Sequence, residues 1–404
     1  MKVKDGEPLH ESEYEVLNTI EQEILGGKTI PLVDNVGGKN RLGFKCRENH
    51  VTELGINLNN LDSIPESLRE LPFLEFLLLQ RNKISQIPEF IGDLSHLRIL
   101  WLEDNNITNV PQSIGNLHNL TVLGLKKNKV EAIPDSIGNC SPLEKLDLGK
   151  NQLTEIPETV GNLAMLETLN LGDNQLTSVP DSICALTNLK YLDLPNNQLP
   201  SIPSSIGNLK KLLTLNLNNN NLSNLPDSIC ECASLQFLHI EGNQLSSLPL
   251  AIGNLKQLKM LAAQNNQFTN VPESIGDLPN LFHLELNQNQ LTSVPDSIGN
   301  LGHLKALRLE ENQLTAIPST IGNLQNLQVL RLNKNQLTGV PDSLGNLTNM
   351  HTLIVSDNNI TSLPTGIENM KKYSVLGYKG NPIDKKSKKL IKKLQKRINL
   401  KALN

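Results

Sequence analysis

Cys230 and Cys232 are separated by one residue, the spacing of two thiolates that could bind one soft metal ion such as zinc. No second cysteine pair and no convergent histidine accompanies them, so the pair is half a metal site at most, and no metal or cofactor is expected. Phosphate chemistry needs a glycine-rich loop closed by Lys-Ser or Lys-Thr, and dinucleotide binding needs its own glycine fingerprint. Neither occurs in these 404 residues. Serine, histidine and aspartate are all present, but no nucleophile elbow sets a serine on a sharp strand-to-helix turn. Catalytic residues are therefore not expected, and the chain reads as a non-enzyme.

One residue type does recur at fixed spacing. An asparagine stands at 59, 82, 105, 128, 151 and 174, and so on to Asn381, always 23 residues after the last. A period of 20 to 50 residues marks a stack of like units rather than an ordinary globule. The unit reads L-x-x-L-x-L-x-x-N-x-L-x-x-(I/V/L)-P-x-x-(I/V/L)-G-N-L-x-x. In the unit around Asn312, Leu307 and Leu309 alternate with Arg308 and Glu310, the period of a strand with one face inward. Leu314, Ile317, Ile321 and Leu324 fill the core from the returning side, where Pro318 fixes one backbone angle and Gly322 permits a tight turn. Asparagine amides at the strand end can both donate to and accept from backbone groups that lack ladder partners. Asn105, Asn128, Asn151, Asn174, Asn197 and Asn220 are thus read as a structural column. His239 and His283 fall two units apart, about 10 Å across the strands, too far to share a metal.

Stacking about fifteen units at strand spacing gives a parallel sheet of roughly 70 Å. The sheet curves, because a strand takes less room along the stack than its return, and its concave face is long. The chain is read in three parts: an N-terminal helix and hairpin cap over 1–50, a solenoid over 51–383, and a basic amphipathic capping helix over 384–404. In the first, Leu17, Ile20 and Ile24 share a helical stripe ended by Gly26 and Gly27. In the last, Leu390, Ile391, Leu394 and Ile398 make the stripe. Net charge is −4, yet the last 21 residues hold nine Lys or Arg against one Asp, so the remainder carries about −12. That basic end is read as a cap, the alternative being contact with an anionic membrane surface. The first residues contain no continuous apolar run of a signal or membrane span, so a cytoplasmic address is expected. The five cysteines are not clustered as a disulfide staple would require; four take Leu or Gly positions of the unit.

With the frame assigned to structure, specificity belongs to the outward positions six, four, two and one residues before each asparagine. Two adjacent units place Phe76, Leu78, Ile99 and Trp101 there, beside Arg81, Glu103 and Asp104. An apolar group rimmed with charge marks a docking surface, unless the N-terminal cap covers it or copies of the chain associate through it. Lys126, Lys127 and Lys145 follow, then Tyr191, and farther on Arg308 and Arg331 among acids. Mixed signs with few aromatics suit a protein partner and not nucleic acid. A monomer binding a protein on the concave face is the expectation.

Residues 51–383 resemble the 23-residue leucine-rich repeats of intracellular scaffold proteins of the Ras-suppressor type and of regular repeat proteins of bacteria and archaea. The resemblance implies an α/β solenoid, a right-handed horseshoe with terminal helical caps, whose concave parallel β-sheet holds protein partners, in some members a small GTPase. Plant receptor repeats share the "IP…GNL" wording, but their extra glycine between Asn and Pro and their cysteine caps are missing here, which favours the intracellular type.

Overall fold

Residues 1–37, 41–370 and 374–398 are described by the computed structural model; 399–404, the end of the basic segment, lie outside them, as do the side chains from 395 on, Ile398 among them. Two compact units divide the chain, Met1–Gln198 and Leu199–Asn404.

Unit one opens with a small antiparallel pair, β1 (Lys2–Lys4) and β2 (Glu7–Leu9), and helix α1 (Glu11–Thr19). Strands β3 (Leu42–Arg47) and β4 (His50–Ile56) form an antiparallel hairpin with a register shift between Lys45 and Cys46. From β4 onward every pairing is parallel: β5 (Phe76–Leu78), β6 (Ile99–Trp101), β7 (Val122–Gly124), β8 (Lys145–Asp147), β9 (Thr168–Asn170) and β10 (Tyr191–Asp193). Unit two repeats the arrangement with β11 (Thr214–Asn216), β12 (Phe237–His239), β13 (Met260–Ala262) and β14 (His283–Glu285). It continues with β15 (Ala306–Arg308), β16 (Val329–Arg331), β17 (Thr352–Ile354) and β18 (Val375–Gly377), and closes with helix α2 (Lys385–Ile398). Each unit is a solenoid in which residue i pairs with i + 23, and the fold class is the α/β horseshoe type read from the repeat.

The returning side is a proline followed by a 3₁₀ turn, such as Glu158–Asn162 after Pro157. Leu166, Leu169, Leu171 and Leu176 are fully buried between the two sides. The Asn174 amide holds that layer to the one before it. Its Nδ2 donates to the carbonyls of Leu171 and Leu148, both at 3.0 Å, and its Oδ1 accepts the N–H of Leu153 at 3.1 Å. The same three bonds recur at Asn105 and Asn151 in unit one and at Asn266 and Asn312 in unit two. Asn59 differs, because its Nδ2 donates only within its own turn, to the Asn57 carbonyl. The residue before the asparagine is left-handed, with φ of +57° to +58° at Arg81, Asp104, Lys127 and Lys150. That conformation costs a residue other than glycine about 1 kcal/mol, and here it turns the chain so that the asparagine enters the stack.

The turn glycines answer a packing demand. A Cβ on Gly161 would lie 2.6 Å from the Ser182 carbonyl oxygen of the next repeat, whereas one on Gly302 meets nothing within 4 Å. Gly161→Ala is therefore expected to cost about 2 kcal/mol, because only parting two repeats relieves the contact. Gly302→Ala should fall within about 0.5 kcal/mol of wild type, and urea denaturation of the two variants checks the difference. Cys230 occupies this glycine column, and the next repeat's 3₁₀ turn is three residues, Ile252–Asn254, where most have five. The other three-residue turn, Ile206–Asn208, also follows in sequence a repeat with cysteine in that place, Cys184.

Both described ends carry a helix. Leu17 and Ile20 are fully buried, but Ile24 is 37% exposed and leaves the expected stripe. The cause is a widened turn: α1 continues as a π-helical segment, Ile20–Ile24, which shifts the phase of the residues after it. At the other end the Ser387 N–H donates to Asp384 Oδ1 at 2.6 Å, which caps α2 and holds that carboxyl below its usual range. Leu390, Ile391 and Leu394 are buried where α2 packs on the last 3₁₀ turn, Thr365–Asn369. Among the described residues no helix is long and apolar enough to cross a membrane.

Candidate binding surface on the sheet face

The outward residues of β5 to β8 form a continuous surface. Phe76 pairs with Ile99, and Leu78 with Trp101, across neighbouring strands. Trp101 in turn pairs with Gly124, and a Cβ there would stand 3.5 Å from the indole Cδ2. The small residue leaves a shelf against which the ring lies, and Lys145 Nζ sits 5.0 Å from the ring centroid, within cation–π reach. Phe76, Ile99 and Trp101 are half-buried. Leu78 is only 8% exposed.

Leu78 is covered by the chain's own leader. Val36 sits on Gly55, where a Cβ would be 2.4 Å from Val36 Cγ1, and Gly37 would meet Leu78 Cδ1 at 3.0 Å with its added Cβ. The segment around Val33 and Val36 thus lies on the face of β3 and β4, over two glycines, Gly43 and Gly55. Internal covering, one of the alternatives raised by the sequence, reaches Leu78.

Beside this group lies a polar cleft of about 290 Å³, lined by Gln80, Arg81, Glu103, Asp104, Lys126, Lys127 and Lys150. A second, of about 240 Å³, shares Gln80, Arg81 and Glu103 and adds Arg41 and Gly37. Lys127 Nζ is 2.9 Å from Asp104 Oδ1. Burial, and then the neighbouring Asp147, push the Glu103 carboxyl above its usual range against the pull of Lys145, Lys126 and Arg81. Asp147 is itself buried, accepting the Asn170 Nδ2 at 2.8 Å and the Gly149 N–H at 3.2 Å.

Of the thirteen outward residues singled out in the sequence, ten therefore gather on β5 to β8 and the turns that follow them. Tyr191 stands apart on β10, 43% exposed. Arg308 and Arg331 belong to unit two, in register on β15 and β16. The sequence reading passed over Gly124, whose signal was a missing side chain at an outward strand position, and Gly55, which serves the leader.

Four of the five cysteines are buried. Cys140 and Cys230 are pushed to about 11 by burial. Cys140 and Cys232 each donate a thiol hydrogen bond to a carbonyl of the preceding repeat, Ile114 at 3.2 Å and Ile206 at 3.4 Å. Cys46, Cys140 and Cys230 are free thiols, and among the described residues no group of three His, Cys, Asp or Glu is placed to hold a metal. A thiol reagent at mildly alkaline pH is expected to label Cys46, the half-exposed one, first. Labelling of Cys140 or Cys230 at the same rate in the native protein would contradict this burial.

Comparison with known proteins gives one picture. A family model described as a leucine-rich repeat region matches residues 56–152, 88–172, 181–245 and 295–404. A leucine rich repeat model also matches 256–314. Among solved structures, a leucine-rich repeat protein of Leptospira interrogans is 32% identical with a TM-score of 0.78, over 86% of this chain and 95% of that one. The plant peptide hormone receptor RGFR1, solved in complex with RGF2, is 32% identical with a TM-score of 0.76, over 85% of this chain but 57% of the receptor chain. An internalin of Listeria monocytogenes is 28% identical with a TM-score of 0.64, over 74% and 85%. No curated protein sequence matches.

Proposed function

Given that this chain belongs to the leucine-rich repeat family, we propose that it is a non-enzymatic interaction module that holds a protein partner on the sheet face of unit one. The observation that carries this is the half-buried set Phe76, Ile99 and Trp101, with the indole lying against Gly124 and rimmed by Arg81, Glu103, Lys126 and Lys145. An aromatic anchor on a rigid strand loses little entropy on binding, and the charges around it select partners by pattern. That the receptor RGFR1 was solved in complex with RGF2 supports binding of a polypeptide partner.

The finer reading is an intracellular scaffold with a signalling partner such as a small GTPase. The free thiols of Cys46, Cys140 and Cys230 support a reducing compartment. Lys385, Lys388, Lys389 and Lys392 of α2 are exposed while its apolar stripe is committed to the last repeat, which supports electrostatic contact with an acidic surface rather than insertion. The test is affinity capture with the wild type and with a Phe76→Ala/Trp101→Ala variant. Loss of the same specific protein from the variant is the expected result, and its equal retention refutes the surface.

A further inference from the structure

Among the described residues, buried polar side-chain atoms without a hydrogen-bond partner fall into two sets. Hydroxyls of the 3₁₀ turns make up one, at Ser113, Ser136, Thr159, Ser182 and Ser297. Equivalent hydroxyls at Ser228 and Ser274 donate to a carbonyl one repeat earlier, so rotation alone serves these. The other set lies on the sheet face. Apart from Gln80 Oε1, it is concentrated on unit two, at Gln264 Oε1, Asn287 Oδ1, Arg308 Nε, Glu310 Oε2 and Arg331 Nε.

The residues that carry them stand on four successive repeats. Glu285, Arg308 and Arg331 stand side by side in register on β14, β15 and β16. Gln264, Asn287 and Glu310 hold the next outward position of successive repeats, two residues before Asn266, Asn289 and Asn312. The ion pairs here are long, Arg308 Nη1 to Glu285 Oε1 at 3.5 Å and Arg331 Nη1 to Glu310 Oε1 at 3.9 Å. Those distances are at or beyond the limit of a hydrogen bond. Glu310 is 9% exposed, and its carboxyl is raised chiefly by burial.

A buried donor or acceptor left unmet is costly, and native proteins meet nearly all of them. Here the unmet groups are of both kinds: two N–H donors, one carboxylate oxygen, and two side-chain amides that can present either atom. The charges also balance, with Glu285, Glu310 and Glu311 against Arg308, Arg331 and Lys334. An anion would meet only the arginines and be repelled by three carboxylates; a cation would meet only the acids. A peptide amide, neutral and carrying a donor and an acceptor together, serves both.

We propose that this face of unit two is a second docking surface, and that its occupant is an extended main-chain segment of a protein partner, its amides set against Arg308, Glu310 and Arg331. Both arginine side chains are 39% exposed, so their arms are free to move at the surface. Lifting them to admit the segment breaks two long ion pairs, worth little at such exposure. The surface is polar where unit one's is aromatic, so the two read different features of what they bind.

The full chain, labelled with nitrogen-15 at arginine, tests this with the amide of N-acetyl-triglycine as probe, since it offers main-chain amides and no charge. The Nε–H signals of Arg308 and Arg331, assigned with Arg308→Lys and Arg331→Lys, are expected to shift saturably while that of Arg69 stays put. Glu310→Ala should weaken the response several-fold, and Trp101→Glu should leave it unchanged, which separates this surface from the one on unit one. Equal response to sodium acetate or methylammonium would show a surface that reads charge instead. No response to the capped peptide, in solution or in a crystal soaked with it, would show that water alone serves these atoms. Either result overturns the proposal.

Discussion

Asn174→Ala is expected to destabilise the protein by about 3 kcal/mol, far more than the same change at Asn59. The alanine removes three hydrogen bonds and leaves the N–H of Leu153 without a partner, while the carbonyls of Leu148 and Leu171 each keep one donor, Asn151 Nδ2 and Asn197 Nδ2. Asn174 is 9% exposed, so water does not replace what is lost. The one unmet N–H costs about 1–3 kcal/mol and each bond lost at a carbonyl that keeps another donor about 0.5 kcal/mol more. Two of the three bonds reach the preceding repeat, so the loss falls on the contact between layers, where a solenoid keeps its cooperativity. Asn59 holds only the Asn57 carbonyl in its own turn, at a half-exposed site, and Asn59→Ala should cost under about 1 kcal/mol. Urea denaturation ranks the two, and amide exchange at Leu153 locates the damage. Equal stability of the two variants, or undiminished protection at Leu153, would refute the ladder's role.

The second large effect is on binding. Trp101→Glu is expected to weaken the captured partner about 100-fold, near 3 kcal/mol, as loss of a buried aromatic anchor does. Stability should change little, because the indole is half-buried and is not part of the leucine core. The new carboxylate would face Glu103, whose own carboxyl is already raised by burial and by Asp147. Gly124→Leu gives an independent check, since it fills the space beside the indole without removing it. It should weaken the same partner. Titration of the purified partner against both variants reads the effect, and wild-type affinity in both would remove Trp101 from the surface.

How far the site was legible depends on what each residue touches. That Trp101 and Phe76 are outward follows from alternation about Leu100 and Leu77, which are fully buried. Their being neighbours follows from the period, since a parallel stack in constant register places i beside i + 23. The cover on Leu78 was not legible, because it comes from a leader segment outside the repeat, seated on glycines whose meaning is a missing side chain. Nor was the unmet set around Glu310. Composition shows arginines beside glutamates, which suggests paired charges; only the distances show the pairs to be long.

By itself the sequence determined the solenoid, its parallel strands and the side of each strand that is free. The physical reason is that a unit stacked on copies of itself must meet identical packing and backbone demands at every step, and those demands appear as a period. Tertiary structure alone decided which of the free positions remain open and which are occupied or left unsatisfied. That depends on the size and reach of neighbouring side chains and on segments that arrive from outside the period, and the pattern does not encode them.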